Sequence, residues 1–172
     1  MSISFPDGVD AQGNGAIYWV PAIADTAAPT VSEIAAGIDI SCAVEGFGPT
    51  GEQGTGTDIR YCSTQQFQTP GRMNVDIPPI LSVYDPQMPD SPDYPWYSAM
   101  ADGAQGYIVN RLGLPYTEPV AAAQVVDVYQ VTLGDKTRVP LDPSAEGGKF
   151  KVSQKPFVTG PAVLDAVVGA GV

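Results

Sequence analysis

Glycine and proline punctuate this sequence so densely, at 19 and 17 of 172 residues, that no bundle of long helices can be laid on it. Glycine interrupts helices through its backbone entropy and proline through its missing N–H, and both favour turns. The acidic residues point the same way, since 14 are Asp and five are Glu. Asp bonds to its own nearby backbone and suits turns and caps, whereas Glu suits helix interiors. With 44% hydrophobic residues the chain can build a core of its own, and its length fits one domain over 1–172. The expectation is a turn-rich, mainly β domain.

Short apolar or alternating runs supply the strands. Residues 16–20 (AIYWV) are continuous and apolar, as in a strand buried on both faces. Thr30 and Glu33 have the spacing of a capping box, so a one- or two-turn helix begins at Thr30 and stops at Gly37. Ile38, Ile40, Cys42 and Val44 alternate with Asp39 and Ser41, a half-buried strand. Residues 45–58 are Gly-rich, acidic and without period, and read as a long flexible loop. A strand is expected over 59–67, followed by the clearest alternation, with Met73, Val75 and Ile77 on one face. Residues 80–84 resume after Pro78 and Pro79 as an edge strand.

Residues 85–95 form a Pro/Asp loop, after which Asp93 caps a short helix that presents Trp96, Ala99 and Met100 and ends at Gly103. Further strands are expected at 107–112, 124–133, 137–140 and 149–158, with 133–136 as a hairpin turn. Seven or eight short strands with one or two short helices imply a β-sandwich or partly closed barrel. An N-terminal arm (1–15) and a C-terminal tail (161–172) flank it.

The formal net charge of −11 and pI near 4.1 exclude binding that neutralises phosphates or rests on an anionic membrane. The charge is unevenly placed. Residues 1–59 hold eight acids and no base, whereas within 135–155 five bases face Asp135, Asp142 and Glu146. The start lacks the basic and apolar regions of a signal peptide, and the apolar stretch 162–172 is short and carries Asp165, so no membrane span is expected. Cys42 and Cys62 lack metal-ligand spacing and read as small buried hydrophobes kept reduced in a cytoplasm, with a cross-strand disulfide as the other reading.

The chain contains no histidine, which removes the commonest general base and metal ligand and with it Ser-His-Asp or Cys-His catalysis. The glycines at 51–56 resemble a phosphate loop, but that stretch has no Lys and carries Glu52. Asp85, Asp90 and Asp93 beside Tyr84, Tyr94, Trp96 and Tyr97 combine carboxylates with aromatic platforms, as sugar sites do. Each of these Asp residues lies within two positions of a proline, as turn residues do. Asp7, Asp10 and Asn14 match no calcium loop. No enzyme, catalytic residue, cofactor or metal site is expected.

The polarity of charge along the chain suits a subunit that joins copies of itself head to tail. An accidental asymmetry is the other reading. Candidate inter-subunit contacts are Glu45, Phe47, Glu52 and Asp58 on one side, with Lys136, Arg138, Lys149, Lys151 and Lys155 on the other.

Residues 18–44 (YWVPAIADTAAPTVSEIAAGIDISCAV), 95–113 (PWYSAMADGAQGYIVNRLG) and 147–161 (GGKFKVSQKPFVTGP) occur in this order. Together they resemble the major tail, or tail tube, proteins of long non-contractile-tailed phages of actinobacteria, over roughly residues 16–165. The resemblance implies a β-sandwich subunit that forms hexameric rings stacked around a tape measure protein, with the inner sheets joined into a continuous lumen. The tube would meet tail terminator and distal tail proteins at its ends, form in the host bacterial cytoplasm, and serve in the virion tail. DNA would pass through without specific binding. The 45–57 loop falls where that family reaches the adjacent ring. The alternatives are a glycan- or receptor-binding β-sandwich, suggested by the 84–97 aromatics, and another tail component such as a terminator or joining protein.

Overall fold

The computed structural model describes residues 7–141, 144 and 148–171. The apolar run at 16–20 becomes strand β1 (Gly15–Val20), paired antiparallel with β6 (Gln105–Leu112) on one edge and β2 (Ile38–Asp39) on the other. Beyond β6 lie β7 (Val125–Leu133) and β10 (Pro156–Val158), and β11 (Val163–Val167) follows β10 along the free edge of β7.

In this six-stranded sheet Trp19 sits opposite Ile108 and Ile108 opposite Tyr129, while Val109 sits opposite Val128. Because side chains alternate along a strand, these rows point to opposite faces. On one face Trp19, Ile108, Tyr129, Val131 and Leu133 pack with Ile77, Ile80, Trp96, Met100 and Val152. On the other, Val20, Val109, Val126 and Val128 meet Ile34, Ile23, Ala166 and Val168. Burial on both faces is why the run at 16–20 shows no polar alternation. Each fully buried large apolar side chain in these cores contributes about 1.5–3 kcal/mol.

A second sheet, in the order β5 (Ile80–Val83), β9 (Lys151–Gln154), β8 (Thr137–Arg138), supplies Ile80 and Val152 to the first core. Helix α2 (Pro95–Ala99) adds Trp96 to the same core, and helix α1 (Val31–Ala35) closes the opposite face with Ile34. The protein is a mainly β sandwich, and among the described residues no sheet closes into a barrel. The third sheet has two strands, β3 (Thr50–Asp58) and β4 (Phe67–Asp76).

Several expectations hold. Thr30 is the N-cap of α1 in a complete capping box with Glu33, and β5 is an edge strand. Others are corrected. The alternation at 38–44 yields a strand of two residues, because Asp39 Oδ1 accepts from the Ser41 N–H and hydroxyl and turns the chain. The 45–58 loop is in large part β3, and the strand expected at 59–67 is, apart from Phe67 at the start of β4, the connection between β3 and β4. Small polar residues hid β3 from any hydrophobic periodicity.

Residues 133–136 form no hairpin turn, since β7 and β8 lie in different sheets and the Gly134 N–H bonds instead to the Lys155 carbonyl. The strand at 149–158 is split into β9 and β10 around Lys155 as the chain crosses between sheets. Tyr94, not Asp93, precedes α2 as N-cap. The C-terminal tail is ordered as β11, and Gly169 bridges Thr30. Both cysteines are free and exposed rather than buried. Of the N-terminal arm, residues 1–6 lie outside the described residues, as do Asp142 and Glu146.

Candidate functional site

The β3–β4 hairpin is the element least supported by its own chain. Val75 packs against the core, whereas Ile59, Tyr61, Phe67 and Met73 are exposed. The strands stay paired past an irregularity between Gln53 and Thr55. There Gly71 runs so close that a Cβ on it would lie 2.7 Å from the Gly54 carbonyl oxygen, which explains a glycine-rich sequence in a strand. At the hairpin base, Lys155 Nζ donates to Asp76 Oδ1 at 2.6 Å and to the Ile77 carbonyl at 2.7 Å. A lone two-stranded hairpin is at best marginally stable in water, and this one leaves Phe67 and Met73 exposed along its strands.

The nine sequence-derived contact candidates divide by what they touch. Lys151 pairs with Glu45 at 2.8 Å, and Lys155 with Asp76. Lys136 lies 5.0 Å from the Tyr97 ring centroid, 3.4 Å from Asp102 Oδ1, and donates to the Met100 carbonyl. Phe47 meets Tyr129 edge-on at 5.9 Å. Asp58 pairs with Arg60 at 2.9 Å. Glu52 is exposed on β3, and Arg138 and Lys149 are exposed with no ion pair among the described residues. Much of the basic 135–155 region is therefore compensated inside the subunit.

The aromatics of 84–97 turn inward. Tyr84 and Trp96 are buried, and Tyr84 stacks on Tyr97 at 5.5 Å. Asp85 Oδ1 accepts from the Gln87 N–H and Asp93 Oδ2 from the Ser91 hydroxyl, which are turn contacts. Among the described residues no group of His, Cys, Asp and Glu is placed to hold a metal ion.

Two features escaped the sequence. Arg111 is fully buried and donates to the carbonyls of Glu118 and Pro115; the signal available was a lone Arg inside an apolar strand. Leu112, Val125 and Val167 are exposed at one end of the six-stranded sheet. The strands expected at 107–112 and 124–133 contain Leu112 and Val125 without showing that both are exposed. Nearby, the Tyr116 hydroxyl is pushed up to about 12 by its hydrogen bond to Cys42 and by the charge of Asp39. Burial and the Asp127 charge likewise push Tyr129 up to about 12.

The family model described as phage tail tube protein matches residues 4–171. No curated protein matches the chain. Among the described residues no helix is long and apolar enough to cross a membrane.

Proposed function

Because the chain belongs to the phage tail tube protein family, we propose that six copies close into a ring and that these rings stack into the tail tube. The tube encloses a tape measure protein, ends at tail terminator and distal tail proteins, and later conducts DNA. The observation that carries this reading is the β3–β4 hairpin, which leaves Ile59, Tyr61, Phe67 and Met73 exposed on its own subunit. A ribbon of that kind gains stability when a neighbour buries it. Glu52, Arg138 and Lys149 contact neighbouring subunits. Glu45, Phe47, Asp58, Lys136, Lys151 and Lys155 frame those contacts while holding partners at home.

A net charge of −11 on each copy makes the bore acidic or neutral. Such a wall repels phosphates and lets DNA slide, where a basic wall would hold it. Assembly takes place in the host cytoplasm, where free Cys42 and Cys62 stay reduced.

Electron microscopy of the purified, concentrated protein tests the reading. Hollow tubes or six-fold rings are expected. A protein that stays monomeric and binds a glycan array would overturn it in favour of receptor binding.

A further inference from the structure

Met73 and Val75 of β4, continued by Ile77, alternate onto one face of the chain, and that face is turned to the body of the subunit. Along it burial fades. Ile77 is 0% exposed, Val75 is half-buried against the core, and Met73 is 60% exposed. The hairpin therefore lifts away from the body as it leaves it. In the angle lies a cleft of about 640 Å³. Met73 and Val75 line its hairpin wall, while Val158, Pro161 and Leu164 line the wall across from them, with Leu164 58% exposed. Two apolar walls that face each other across water gain free energy by meeting.

We propose that the β3–β4 hairpin is a flap that closes this cleft, bringing Met73 down onto Leu164 of the same subunit. Both limbs are anchored just below the ribbon. On the β4 side, Lys155 Nζ donates to Asp76 Oδ1 at 2.6 Å and to the Ile77 carbonyl at 2.7 Å, and Pro78 and Pro79 then fix φ. On the β3 side, Phe47 is held edge-on against Tyr129. Only Gly48 and Pro49 separate it from β3, and a Cβ on Gly48 would meet nothing within 4 Å. The glycine can absorb a change of backbone angle without a clash. The ribbon can thus rotate about the line from Gly48 to Ile77 with the β3–β4 pairing kept. In the closed position Met73 is covered by its own subunit, and the ribbon no longer stands clear for a neighbour to cover. Self-closure and assembly compete for one hairpin, and assembly draws on the open population. The competition rests on the tube reading above; the closure does not.

A disulfide across the cleft tests the flap. With C42S and C62S removing the two native thiols, Met73→Cys and Leu164→Cys place one thiol on each wall, both at exposed positions. A bridge needs the two Cβ atoms about 3.5–4.5 Å apart, so it reports closure. Mild oxidation of the free subunit is expected to give an internally bridged monomer. That monomer should form roughly tenfold fewer tubes than its reduced form, with growth restored by reductant. Thiols that stay free overturn the flap. A ladder of linked subunits also overturns it and assigns the cleft to a neighbouring copy. Bridged monomer that assembles as well as the reduced form overturns the competition. In the otherwise native chain, Leu164→Asp changes an exposed side chain and sets a charge on the wall where Met73 lands. It is expected to raise the rate of Met73 oxidation by peroxide about twofold, read by mass spectrometry; an unchanged rate overturns the flap. Wild type and reduced variant that never assemble overturn the tube reading, while the bridge and the oxidation rate still decide the flap.

Discussion

Arg111 Nη1 donates to the main-chain carbonyl of Glu118 at 2.6 Å, from a guanidinium that is fully buried. Nη2 reaches the Pro115 carbonyl at 3.0 Å, so one side chain pins the 113–124 loop to β6. Replacing it by Met removes donors from two inward-facing acceptors, at about 1–3 kcal/mol each. Arg111→Met is therefore expected to lower stability by roughly 2–6 kcal/mol in urea unfolding. Arg111→Lys should recover only part of the loss, because an ammonium lacks the planar fork that serves two carbonyls at once. A loss below about 1 kcal/mol would show that the loop holds itself.

At the start of α1, Glu33 Oε1 accepts from the Ala24 N–H at 2.7 Å, and Oε2 from the Thr30 N–H and hydroxyl at 2.8 Å. The Ala24 and Thr30 N–H groups, with the Thr30 hydroxyl, hold the carboxyl below its ordinary value of 4.5. A carboxyl whose folded value is lowered adds stability above its unfolded value and loses it as pH falls through the folded one. The stability gap between wild type and Glu33→Gln is thus expected to be widest near neutrality and to shrink below pH 4.5. Thr30→Ala, which removes the other half of the box, should cost about 1 kcal/mol. A gap that does not change between pH 7 and pH 3 would contradict the sign of the shift.

What was legible in the sequence is what local chemistry decides. The Thr30–Glu33 box reads directly because both partners lie within one helical turn. The buried run of β1 reads because burial on two faces demands continuous apolar residues. Strand β3 was illegible because its residues pack on little of their own subunit, whereas the alternation at 72–77 marked the part of β4 whose Val75 packs on the core. The exposure of Leu112 was illegible because an apolar strand residue carries the same letter whether or not its own fold covers it. Asp39 defeated the alternation at 38–44 through a side-chain contact two residues long, which no pattern of hydrophobicity records.

Gly106 is buried in β6 where it passes under Trp19. A Cβ there would lie 2.7 Å from Trp19 Cζ2 and 2.9 Å from the Val20 carbonyl oxygen. The backbone oxygen belongs to a paired strand and cannot retreat, so the indole must tilt into a filled core. Gly106→Ala is expected to cost about 1–3 kcal/mol by overpacking, with an altered tryptophan emission in the folded state. Unchanged stability and emission would mean that the Trp19 ring has room to move.

Excision of the hairpin tests its proposed role in assembly. Joining Gly51 to Val75 through Asn-Gly removes the ribbon but retains the Thr50–Asp76 pair, the packing of Val75 and the Lys155–Asp76 contact. Asn-Gly suits the two-residue turn that must then close the shortened strands. The removed side chains are exposed, so stability of the isolated subunit should stay within about 1 kcal/mol of wild type. Tube growth should stop, because the side chains that a neighbour would bury are gone. A subunit that unfolds on excision would mean that the ribbon stabilises its own body. Tubes of normal length from a well-folded excised protein would move the assembly contact elsewhere, with the exposed Arg138 and Lys149 as the next residues to replace.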